Sequence, residues 1–158
     1  MCKLLRPLIA CWMLAAPLFA GALLVEIGNP AANTEAQAKH AVLVARITAC
    51  HSPEKTVLSA TAEGLLNGVR KSIPLKVIPF STAGTFGVGR QWPSQGSWIV
   101  KIIATNPDYK NYATSALVPF ENDHFEWGAI KHYSHAPTDA ELAAVLGAQP
   151  NHMPTSLN

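Results

Sequence analysis

Apolar and polar positions alternate with period two along most of the chain. Between His40 and Ala49, the residues Ala41, Leu43, Ala45, Ile47 and Ala49 share one face, with Arg46 and Thr48 opposite. Successive side chains of a strand point to opposite sides of a sheet, so this spacing predicts a half-buried β-strand. Leu58, Ala60 and Ala62 repeat it against Ser59 and Thr61. In Leu65-Leu66-Asn67-Gly68-Val69, Asn and Gly tolerate the positive φ angles of a type I′ turn, which predicts a hairpin. The returning strand sets Val69, Lys71, Ile73, Leu75 and Val77 against Arg70, Ser72, Pro74 and Lys76. Pro74 has no N–H to give to a ladder, so this strand is expected at a sheet edge or at a bulge.

Further strands follow from Phe86, Val88, Arg90 and Trp92, and from Trp98, Val100, Ile102 and Ala104, with Pro93-Ser94-Gln95-Gly96 as the turn between them. Asn106-Pro107-Asp108 ends the second of these. Tyr112, Thr114, Ala116 and Val118 mark another, closed by Pro119, and Phe125 with Trp127 suggests a last one. Six or seven short strands with no amphipathic helix between them predict an all-β antiparallel sandwich over residues 39–128. A tail, 129–158, holds the one helical pattern, at about 139–146. Thr138 and Glu141 have the spacing of a capping box, Leu142, Val145 and Leu146 share a face, and Gly147 and Pro150 end the helix. Two turns are marginal alone, so this helix must dock on the sheet, a partner or a membrane.

The N-terminus is patterned differently. Lys3 and Arg6 precede a run from Pro7 to Val25 without a charge. A cationic start followed by an apolar stretch is the form of a secretory signal. Small-residue cleavage sites stand at Ala20-Gly21-Ala22 and Ala36-Gln37-Ala38. The second is favoured, with 1–38 as signal peptide and Asn29 to Gln37 as a polar spacer; cleavage after residue 22 and an uncleaved anchor at residues 7–25 are the alternatives. Leu8-Ile9-Ala10-Cys11 imitates a lipidation motif but precedes most of the apolar stretch. Removing the signal takes Cys2 and Cys11 with it, so the remaining Cys50 has no internal disulfide partner.

The hairpin Gly84-Thr85-Phe86-Gly87-Val88 and Trp92-Pro93-Ser94-Gln95-Gly96-Ser97-Trp98-Ile99-Val100 resembles the last hairpin of exported immunoglobulin-like sandwiches, among them YtkA/FixH-like periplasmic modules. The likeness is close at this hairpin and loose over residues 40–120. It implies an immunoglobulin-like fold and export. The methionine-rich metal motifs of some relatives have no counterpart here, since Met153 is the one methionine beyond the signal. The resemblance therefore implies no particular activity.

Charged residues are 14% of the chain and the net charge is +2, which gives no footprint for nucleic acid. The balance is uneven. Residues 39–120 carry nine Lys/Arg and three Asp/Glu, while residues 121–158 carry one Lys and five Asp/Glu. A basic sandwich face could meet an anionic partner or the chain's own acidic tail; a solvated surface explains the same numbers. His124, His132 and His135, near Glu121, Asp123 and Glu126, are the candidate ligands for copper or zinc, against ordinary polar tail residues. Cys50 beside His51 is either a reactive pair or a small buried residue at a strand end. Trp98 reads as core, whereas Trp92, before Pro93 at a hairpin end, is the aromatic expected to be exposed. No phosphate-binding loop, H-E-x-x-H or G-x-S-x-G is present. The expectation is an exported, non-catalytic module of the periplasm or cell envelope, or an extracellular one. It would need no cofactor and would contact an envelope protein, with membrane contact only through an uncleaved N-terminal segment. Copper or zinc handling by the late histidines is the alternative.

Overall fold

The computed structural model describes residues 23–49, 52–66, 69–110, 112–121 and 124–148. Among them ten strands form two antiparallel sheets, three more strands than the largest number predicted. The first sheet holds β1 (Leu24–Gly28), β2 (Leu43–Thr48), β6 (Thr85–Val88) and β5 (Val77–Pro79), in that spatial order. The second runs β10 (Lys131–Tyr133), β8 (Ala113–Glu121), β7 (Ser97–Thr105), β3 (Val57–Leu66), β4 (Val69–Pro74), and β9 (His124–Phe125) pairs with β8. Lettered by position, β1, β2, β6 and β5 are A, B, E and D, and β8, β7, β3 and β4 are G, F, C and C′. That is the strand order of an immunoglobulin sandwich, with β10 added outside G.

The period-two pattern is realised as expected in the central strands. Trp98, Val100 and Ile102 of β7 meet Leu43, Ala45 and Ile47 of β2 in one buried core, joined by Val88 and Val118. β4 is the edge its proline demanded, and β3 pairs with it up to Leu66↔Val69. Asn67 and Gly68 lie outside the described residues. Asn106 ends β7 by accepting the Asp108 N–H on its side-chain oxygen at 2.9 Å.

Among the described residues, folded elements lie on both sides of 39–128. Val25 pairs with Ile47, and Leu23 and Val25 are buried in the main core, so residues before 39 share the sandwich. The last residues of the uncharged run, Leu24 and Val25, stand in strand A. The supposed spacer is folded as well. Asn33 accepts the Ala36 N–H at 2.9 Å and opens helix α1 (Thr34–Ala38). Ala36 then packs with Ala41 and Val44. His40 takes φ 52° in the link to β2, which is why that strand starts at Leu43 rather than at His40. At the other end, residues 129–148 are part of the domain and not a tail, because β10 pairs with β8 and helix α2 (Asp139–Gly147) packs on β7 and β8. Trp127, expected on a last strand, stands in a short 3-10 turn, Trp127–Ala129. Among the described residues no helix is long and apolar enough to cross a membrane.

Candidate functional site

Residues paired across β8 and β10 share a face, and that alternation builds a groove on the outside of the sandwich. Lys131 pairs with Leu117, and Tyr133 with Ser115, so both point to the outer side; His132 pairs with Ala116 and turns the other way. Leu142 and Leu146 of α2, four residues apart, bury against Ile99 and Leu117. Glu141, Ala144, Val145 and Ala148 lie at helical spacing on the neighbouring stripe. They face Pro119, Glu121, Glu126, Ala129, Lys131 and Tyr133 across a groove of about 760 Å³.

The helix is held firmly enough to serve as a wall. The predicted capping box is formed: Thr138 Oγ accepts the Glu141 N–H at 3.2 Å, and Glu141 Oε2 accepts the Thr138 N–H at 2.8 Å. The Thr138 N–H and hydroxyl, then the His135 ring, hold the Glu141 carboxyl below the ordinary glutamate range. His135 Nε2 stands 3.1 Å from Glu141 Oε1, and the His135 carbonyl accepts the Ser115 hydroxyl at 2.6 Å. Arg70 meets Asp139 at 3.2 Å. Asp139 is 92% exposed, and such a pair contributes only about 0–1 kcal/mol. Burial of Leu142 and Leu146, about 1.5–3 kcal/mol each, decides the docking.

The three glutamates of the groove have different surroundings. Glu126 pairs with His124 Nε2 at 2.8 Å and is half exposed. Glu141 is occupied by Thr138 and His135. Glu121, at the end of β8, is 5% exposed, and its buried Oε1 has no hydrogen-bond partner. Lys131, the one cation of the lining, forms no ion pair with any of the three.

The sequence-predicted site residues are thereby separated. His124 and His135 are each engaged with a different carboxylate, and His132 lines a separate recess with Leu23, Glu26, Tyr112 and Thr114. Among the described residues no three His, Cys, Asp or Glu are grouped to hold a metal ion. Trp92 is buried at 4%, not exposed. It lies edge-on to Phe120 with ring centres 5.3 Å apart, beneath Arg90, whose guanidinium is 4.9 Å from the Phe120 ring centre. The hairpin expected around Pro93-Ser94-Gln95-Gly96 is not formed, since β6 and β7 lie in different sheets, and Trp92 stands in the crossing between them, where a large apolar side chain closes the open end of the sandwich. Cys50, His51 and Asp123 lie outside the described residues. Glu121 and Glu126 stood among the predicted carboxylates, and Tyr133 among the aromatics considered for a sugar- or peptide-binding platform, but Lys131 was missed. The signal was the short alternation of Lys131 and Tyr133 against Ile130 and His132, too brief to stand out. Comparison with protein families, with curated proteins and with solved structures finds no match.

Proposed function

We propose that the chain is an exported, non-catalytic binding module. In this reading the immunoglobulin-like sandwich is the scaffold, and the groove beneath α2 receives a segment of another envelope protein. The observation that carries it is the lining of the groove: Ala144, Val145 and Ala148 of the helix with a buried glutamate, one of whose carboxylate oxygens has no hydrogen-bond partner. Such clefts, mostly apolar with a few placed polar groups, are the usual form of binding sites.

Export is supported by Lys3, Arg6 and the apolar run, and by the position of Ala20-Gly21-Ala22 directly before Leu23. Processing after Ala22 leaves strand A whole, whereas processing after Ala38 removes β1 and α1 together. The proposed mature chain therefore starts at Leu23 and works in the periplasm or outside the cell. The test is a photo-crosslinking residue placed at Ala148, on the exposed lip of the groove, in the native cells. One protein adduct is expected there and none at exposed Glu54, on the turn before β3. The same background pattern at both positions would remove this function.

A further inference from the structure

We infer that the groove recognises an alkylammonium or alkylguanidinium group, with its charge on Glu121 and its stem along Ala129, Ala144 and Val145. This rests on the groove being the binding site and names the chemistry that it takes. Three observations converge on it. Glu121 is buried to 5% exposure with Oε1 lacking any donor, and a buried acceptor left without a donor is costly, more so when it is charged. The two other carboxylates already have partners, Glu126 in His124 and Glu141 in Thr138 and His135. Lys131 of the same lining answers neither Glu121 nor the others. The deficit is thus one of cationic donors at one atom, inside a lining that carries three glutamates against a single lysine.

The rest of the lining fits the same ligand. An ammonium offers three N–H donors and a guanidinium five, each on a stem that lies comfortably on apolar surface. The wall of Ala144, Val145 and Ala129 is such a surface. Tyr133 adds an aromatic ring, whose face attracts cations. An anionic ligand would meet two negative charges in excess, and a neutral one could offer Glu121 a donor but no charge.

Calorimetric titration of the purified protein at neutral pH with n-pentylamine, 1-pentanol and pentanoate tests this without any variant. The amine should bind, and the isosteric alcohol and acid should not. A glycine-flanked lysine tripeptide and its norleucine counterpart separate the sources. Binding of the lysine peptide assigns the cation to a partner's side chain, and binding of pentylamine alone assigns it to a free amine. Glu121→Gln should weaken the amine by roughly 10- to 100-fold while the melting temperature stays level or rises. Equal binding of amine and alcohol, no binding of the amine, or undiminished binding by E121Q would each overturn the inference. A protein crosslinked at Ala148 without amine selectivity leaves the binding module and removes the cation site; amine selectivity without a crosslink does the reverse.

Discussion

At Gly64, near the end of β3, a Cβ atom would stand 2.6 Å from Cε3 of Trp98 and 2.8 Å from the Ser97 carbonyl oxygen. Trp98 cannot retreat, since it is fully buried and its Nε1 donates to the Gln95 carbonyl at 2.8 Å. Gly64→Ala should therefore cost about 1–3 kcal/mol, the usual penalty of an overfilled core. A urea midpoint equal to the parent's would show that the sheet has slack there. The neighbouring Glu63 turns outward and is buried at 3%, with Lys101 Nζ at 2.8 Å, Ser72 Oγ at 2.9 Å and Thr61 Oγ1 at 3.1 Å. Burial on its own opposes ionisation of Glu63, but those donors together outweigh it and lower its pKa. A carboxylate with a depressed folded value stabilises above the unfolded value of about 4.3 and loses that contribution as pH falls through the folded one. Melting temperatures measured from pH 6 down to 3 should drop, and Glu63→Gln should flatten that drop; an identical acid limb in the variant would contradict the assignment. Single residues were legible where parity alone decided their fate, as at Trp98. They were not legible where a side chain folds across the end of the sandwich, as Trp92 does, or where its partners come from distant elements, as for Glu121.

Helix α2 shows what an element carries in its own sequence and what it borrows. Its capping box was readable from Thr138 and Glu141 because both groups sit within one turn. Its seat was not, because it is made by residues of opposite parity to the core. Leu117 and Val118 are both buried, one under the helix and one inside the sandwich. Two covered faces erase the alternation that marks a half-buried strand. β1 was hidden for a different reason, its alternation running on from an apolar stretch without a break. β10, three residues long, is shorter than the window in which a period is visible. Removing the cap with Thr138→Ala should cost about 1 kcal/mol. Amide exchange should then quicken between Leu142 and Leu146 while β3 and β7 keep their protection. Uniform loss across the sandwich, or none at the helix, would mean that α2 and the sheets do not respond as separate layers.

Over the whole molecule, the described residues from Leu23 to Ala148 make one sandwich that includes strand A. Leu23 and Val25 are buried in the main core, each contributing about 1.5–3 kcal/mol to a total stability that is usually only about 5–15 kcal/mol. A chain started at Lys39 loses both, together with the strand that covers the edge of β2. It should fail to give a cooperative unfolding transition, whereas one started at Leu23 should give a single one. Equal transitions in the two chains would place strand A outside the folding unit. The fold class was open to reading because hydrophobic period and turn residues are local quantities. The strands outside 39–128 were not legible because pairing with β2 and β8 is decided far away in the chain. The most direct measurement is the N-terminal sequence of the protein recovered from outside the cytoplasmic membrane of its own cells. Leu-Leu-Val-Glu-Ile is the result the account predicts; a start at Lys39, or an intact Met1 recovered from the cytosol, would contradict it.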